Sequence, residues 1–110
     1  MEISWTDFEK VDIRVGTVIS ASEFKEARNP SYKLEIDFGT IGILKSSAQL
    51  TSLYEVETLV GKQILAVVNF PEKQIATMMS ACLVLGLVGE GSDVVLVAPD
   101  KKVTNGLRLA

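Results

Sequence analysis

The chain has no histidine and a single cysteine, Cys82. These absences remove whole classes of chemistry. A Ser-His-Asp triad lacks its imidazole, a Cys/His zinc site lacks its ligands, and a disulfide lacks its second thiol. Spaced carboxylates of the EF-hand type are missing as well. The sequence therefore predicts no metal, no cofactor and no nucleophile–base pair of an enzyme. Cys82 lies within Ala81-Cys82-Leu83-Val84-Leu85, the setting of a buried small apolar residue rather than a reactive thiol. One lone cysteine suits a reducing compartment.

An excess of positive charge is lacking too. Eleven Lys and Arg stand against fourteen Asp and Glu, a net charge of -3, with an isoelectric point near 4.9. Domains that hold nucleic acid by bulk electrostatics are basic, with pI above ~9, so any RNA contact has to come from a local patch. The longest apolar run, residues 81–88, is broken by Gly86 and falls far short of the ~20 residues of a spanning helix. Met1-Glu2-Ile3-Ser4-Trp5 has no basic region leading into an apolar stretch. The expectation is a cytoplasmic protein without membrane insertion.

What is present fits one globular domain over residues 1–110, with 47% hydrophobic and 23% charged residues. Ser4 or Thr6 can cap a short first helix, with Asp7 or Glu9 three residues on and Ile3 and Phe8 placed to staple it. Val11, Ile13 and Val15 alternate with Asp12 and Arg14, the mark of a half-buried strand. Gly16 interrupts that alternation, and a bulge or tight bend is expected there. A loop over residues 23–31 carries the Asn29-Pro30 turn signal. Tyr32, Leu34, Ile36 and Phe38 then alternate with Lys33, Glu35 and Asp37, the cleanest strand in the chain. Gly39-Thr40 turns it into a hairpin partner over residues 41–47.

Ser52-Leu53-Tyr54-Glu55 matches a capping box and predicts a helix that Gly61 stops. Residues 63–70 read as a strand buried on both faces, 71–74 as a loop, 79–88 as a near-continuous strand and 94–97 as a last strong one. A short strand over 103–109 is appended. Three strands, a helix and two strands make an all-β protein with short helices. The order is that of a five-stranded OB-fold barrel with its helix between the third and fourth strands.

Three motifs at their spacing, Asp12-Ile13-Arg14-Val15-Gly16, Ser46-Ser47-Ala48-Gln49 and Val68-Asn69-Phe70, resemble the tRNA-binding OB domain that occurs free or attached to some aminoacyl-tRNA synthetases. Lys33-Leu34-Glu35-Ile36-Asp37-Phe38-Gly39, Ser46-Ser47-Ala48-Gln49-Leu50-Thr51 and Val67-Val68-Asn69-Phe70-Pro71 are most similar to its small stand-alone branch, the export-related CsaA chaperones. The resemblance extends from Phe8 to Gly106. Its tRNA-binding members usually carry Ser-x-Gly-Met on the fifth strand. Here Ser80-Ala81-Cys82-Leu83 retains the serine and replaces the glycine, which would allow close backbone approach. That departure points to the chaperone branch. The resemblance then implies a homodimer that binds unfolded or precursor polypeptides and the export motor ATPase without nucleotide, with tRNA as the other candidate ligand.

Ligands of OB barrels usually lie on the second and third strands, between the loop after strand one and the loop joining strands four and five. Candidate contacts are Lys25 and Arg28 from the first loop, Lys73 from the second, and Lys33 and Lys45 from the strands. Ser46, Ser47 and Ser80 offer hydroxyls, Asn69 a base-edge donor and acceptor, and Phe70 a stacking platform. Phe70 with Met78 and Met79 equally suits an extended polypeptide. Each has a plainer reading: Lys33 as a solvated strand residue, Phe70 and Met79 as core, Ser46 and Ser47 as turn caps, Arg14 in a surface ion pair. Trp5, Phe8, Val95, Val97, Leu107 and Leu109 are more apolar residues than one small barrel encloses, and are assigned to a dimer interface. Two functions remain open: an ATP-independent export chaperone, or a structure-specific tRNA-binding protein acting in trans.

Overall fold

The computed structural model describes residues 1–110. Its elements are α1 (Trp5–Glu9), β1 (Ile13–Glu23), β2 (Tyr32–Asp37), β3 (Ile43–Ala48), α2 (Val56–Leu59), β4 (Gln63–Val67), β5 (Lys73–Ile75), β6 (Met78–Ser80), β7 (Leu83–Val84), β8 (Gly86–Val88) and β9 (Val94–Leu96). Alternation builds the wall. Tyr32, Leu34 and Ile36 of β2 are buried while the residues between them are not, as period-two side-chain placement requires. The strands pair antiparallel in the order β3-β2-β1-β4-β7. The open side nearly closes where the Ala81 N–H donates to the Lys45 carbonyl at 2.8 Å and the Ser46 hydroxyl donates to the Cys82 carbonyl at 3.0 Å. The result is the expected five-stranded barrel, with α2 between β3 and β4.

Two apolar clusters explain why β4 is buried on both faces. Ile64 and Ala66 join Val18, Leu34, Ile36, Phe38 and Leu59 inside the barrel. Leu65 and Val67 form a second cluster with Ile13 and Val15, covered by Leu85, Val97 and Val103. The later segments of the chain thus act as a lid on the outside of β1 and β4.

Ser4 caps α1 in a capping box with Asp7, one of the two expected pairings. Elsewhere the structure corrects the local reading. Gly16 sits in regular pairing with Ile64; a Cβ there would lie 2.6 Å from Ile36 Cγ2 and 2.8 Å from the Phe38 ring. Glycine permits close packing at that point. The register shift falls between Val18 and Ser20 instead, with Ile19 turned outward. The Ser52 capping box does not form, because the Ser52 hydroxyl donates to Asp93 Oδ1 at 2.7 Å. The helix is consequently one turn, starting after Glu55 with no side-chain cap.

The long strand expected over 79–88 is broken into β6, β7 and β8, and β8 pairs with β9. The expected loop over 71–74 rises into a β5–β6 hairpin. Pairing over 103–109 reduces to one bridge, Arg14 to Arg108, with backbone bonds from Val15 to Leu107, Gly106 to Val15 and Leu109 to Ile13. No helix is long and apolar enough to cross a membrane.

Candidate ligand-binding cleft

Strand register fixes which charges share the outer face. Lys33 lies opposite Ser47, Glu35 opposite Lys45, and on the β1 side Ser22 lies opposite Lys33 and Ser20 opposite Glu35. Leu34 and Ile36 face inward, so all six residues face outward. Lys45 has an opposite charge directly across the ladder, and the Lys33 ammonium stands 5.3 Å from the centre of the Phe24 ring, within cation–π range. Lys33 and Lys45 line a recess of about 290 Å³ with Glu35 and the hydroxyls of Ser20, Ser22 and Thr77.

Beside this face opens a larger cleft of about 1070 Å³. One wall is the loop after β1, with Glu26, Ala27, Arg28 and Asn29. The other is the chain from Phe70 through β5 to Ala76, and the floor includes Ser47, Gln49 and residues 80–83. Its charged lining balances: Arg28 and Lys73 stand with Glu26 and Glu72. Phe70 is 54% exposed. Together with Pro71, Ile75 and Leu83 it gives the cleft an apolar component.

Of the candidates expected from the sequence, Arg28, Ser47, Phe70, Lys73 and Ser80 meet in this cleft. Lys25 lines a different recess with Phe24, Pro30 and Tyr32, and Met79 is exposed on β6 outside the cleft lining. Two further candidates are engaged by the fold. Ser46 is buried and bonded to Cys82. Asn69 Oδ1 accepts from the Asp12 N–H at 3.0 Å while its Nδ2 donates to the Lys10 carbonyl at 2.7 Å. Reading the loops for cations alone passes over Glu26, Glu72 and Gln49, although the two carboxylates flank the same turns.

Cys82 forms part of the floor but is buried. Burial pushes its thiol up to about 11, against a smaller opposing effect of the Ser46 hydroxyl, so thiolate chemistry is suppressed at neutral pH. Tyr32 is also raised, by burial first and then by Glu55, Glu23 and Glu57; its hydroxyl donates to the Tyr54 carbonyl at 2.8 Å.

The residues assigned to a dimer contact divide. Trp5, Val95, Leu107 and Leu109 are exposed. Phe8 is half-buried and meets Trp5 edge-on at 6.5 Å, around a recess of about 400 Å³ that Ile3 and Ala110 complete. Val97 is half-buried and packs on the second apolar cluster.

Comparison with known proteins matches the description of a putative tRNA binding domain to residues 13–108. A methionine–tRNA ligase of Bdellovibrio bacteriovorus is 36% identical over 98% of this chain, which spans only 16% of that ligase's length. Among solved structures, the chaperone CsaA of Bacillus anthracis is 50% identical with full coverage of both chains and a TM-score of 0.95. The CsaA chaperone protein of Picrophilus torridus is 48% identical over 99% of this chain and 100% of its own, with a TM-score of 0.91. On these matches, and with the OB-type barrel and outward-facing β2–β3 surface described above, the chain belongs to the family of putative tRNA binding domains.

Proposed function

We propose that the protein is an ATP-independent, dimeric chaperone that holds unfolded or precursor polypeptides for export in the cleft between the first loop and the β5–β6 hairpin. The carrying observation is the cleft's lining: two cations beside two carboxylates, with Phe70, Pro71, Ile75 and Leu83 between them. A polyanion gains little from a charge-balanced surface, whereas a polypeptide finds both apolar contacts and polar partners. Full-length similarity to proteins described as chaperones supports the reading. Exposed Ile3, Trp5, Leu87, Val88, Leu107 and Leu109 support association with a second copy. The export motor ATPase is the partner to which such a chaperone would pass its client, and the cytoplasm is where it would work. No catalytic step is part of the proposal.

One observation favours a second reading. Lys33 and Lys45 share a recess with three hydroxyls, groups that commonly contact phosphate and sugar, and the family match is to tRNA binding. On this reading the protein binds tRNA in trans.

A competition titration separates the two. Labelled unfolded precursor is bound at physiological salt and bulk tRNA is added, then the titration is repeated across a salt series. The chaperone reading expects the precursor to stay bound and its affinity to vary little with salt, since apolar contacts dominate. Displacement by tRNA, with tRNA affinity falling steeply as salt rises, would replace it with the second reading. Light scattering gives the assembly: a mass twice the 11.9 kDa of the chain is expected, and a monomer at working concentration would refute the dimer.

A further inference from the structure

We infer that the outer edge of β5 is a strand-addition site, at which an extended, uncharged and apolar stretch of client polypeptide pairs its backbone with Gln74. The inference rests on the chaperone reading and specifies how the client is held.

β5 has one neighbour, β6, in a two-stranded sheet. In an antiparallel pair, backbone groups point alternately toward the partner and away from it. Ile75 pairs with Met78 across the two-residue Ala76-Thr77 turn, so Ile75 and Lys73 turn their backbone groups toward β6. Gln74 turns its N–H and carbonyl away, where they meet no other backbone group of the chain. The same three residues line the large cleft, so the unpaired edge opens into a bounded space. Strand addition uses this arrangement: main-chain hydrogen bonds supply affinity, and alternate side chains of the added strand enter flanking pockets.

The lining also selects the occupant. Across the cleft from β5 lie Glu26 and Arg28, and next to it Glu72 and Lys73. Opposite charges in equal number give no net attraction to a strongly charged segment of either sign. Phe70, Pro71, Ile75 and Leu83 favour apolar side chains at alternate positions. β5 is three residues long and begins with a lysine, the features that discourage edge-to-edge pairing between folded copies. An unfolded segment, able to thread between the walls, is not discouraged in the same way.

The test leaves the protein unaltered. The probe is a short labelled peptide of zero net charge with leucine at alternate positions, made in three forms: unmodified, and N-methylated on one or the other alternate set of amides. Methylation removes donors and blocks pairing while retaining the side chains. With a net contribution of about 1 kcal/mol for the bond to the Gln74 carbonyl, one methylated form should bind about fivefold more weakly than the parent and the other close to it. Amide hydrogen exchange should slow at Gln74 when the unmodified peptide is present.

Equal affinity of all three forms would overturn strand addition while leaving the chaperone reading intact. No binding of the parent peptide would remove both. Protection confined to β8, or to Lys33 and Lys45, would place the client elsewhere and overturn the assignment. So would β5 amides already protected in the free protein in a concentration-dependent way, which would assign the edge to a second copy, or protection at β5 by single-stranded RNA but not by the peptide.

Discussion

Where the ends of the chain meet, charged and polar side chains are bonded to one another. Arg14 donates to Asp12 Oδ1 at 2.6 Å and to the Gly106 carbonyl at 2.9 Å, and Arg108 reaches Asp12 and the Glu9 carbonyl. Asn105 Oδ1 accepts from the Thr17 hydroxyl and from Gln63 Nε2. In the cleft the pattern is reversed: neither Arg28 nor Lys73 forms an ion pair, and both line open space. A bonded, half-buried polar group stabilises the fold and has little left to offer a ligand. An unpaired exposed charge contributes little to stability and remains available. The contrast separates the residues that hold the barrel from those that can bind.

Much of what makes the chain recognisable belongs to the first group. Asp12, Arg14, Asn69, Asn105 and Gly106 all lie in the motifs or terminal segments that carry the resemblance, and all are bonded within the fold. The cleft draws Ser47, Gln49, Phe70 and Pro71 from those motifs and its charged residues, Glu26, Arg28, Glu72 and Lys73, from the loops outside them.

The comparison is most strongly stressed at Gly106. Its φ is +94°, and a Cβ would stand 2.6 Å from the Phe38 carbonyl oxygen. Gly106→Ala should lower stability by about 3 kcal/mol, read as a fall in the urea midpoint, while the folded fraction keeps its peptide affinity. A midpoint equal to that of the parent would show that the terminal clasp is not needed.

The second test uses pH. Cys82 has a folded-state value raised to about 11 from an ordinary 9.0, so the native state keeps the proton that the unfolded chain releases. Stability is fully present below pH 9 and is lost as pH rises toward 11, by up to about 2–3 kcal/mol. Tyr32, raised in the same direction, extends the loss to higher pH. Urea titrations at neutral and alkaline pH should show this decline, and Cys82→Ala should make it shallower. An unchanged alkaline slope in that variant would remove Cys82 from the explanation.

Smaller effects sharpen the contrast. Arg14→Ala should cost about 2 kcal/mol, since the Gly106 carbonyl loses its charged donor and Asp12 keeps only the longer contact to Arg108. Arg28→Ala should change stability by less than about 0.5 kcal/mol and act on ligand binding alone. Ala76, at the tip of the β5–β6 hairpin, has φ +50°, a conformation costly for a residue with a Cβ. Ala76→Gly relieves that strain against glycine's greater unfolded-state freedom. Thermal unfolding should report a net gain of about 0.5 kcal/mol.

The barrel was legible in the sequence because β2 and β4 are governed by burial alone: one alternates cleanly, the other is apolar throughout, and both pack as that pattern requires. Elements set by distant partners were not legible. Ser52 followed by Glu55 has the form of a capping box, yet Asp93, 41 residues away, takes the serine hydroxyl. The β5–β6 hairpin turns through Ala76-Thr77, which lacks the glycine or asparagine that signals a tight turn. The same limit applies to the cleft. Arg28, Phe70 and Lys73 could be picked from their loops, but the assignments of Asn69 and Ser46 depended on Asp12 and Cys82, residues 57 and 36 positions away.

The central claim, that stability and binding reside in different regions, is tested most directly by measuring urea stability and peptide affinity together for Arg14→Ala and Phe70→Ala. Arg14→Ala should lose stability and keep its affinity when folded. Phe70→Ala, which removes a half-exposed ring from the cleft wall, should lose affinity and keep its urea midpoint. If Arg14→Ala weakens peptide binding as much as Phe70→Ala does, or Phe70→Ala unfolds as readily as Arg14→Ala, the division is contradicted.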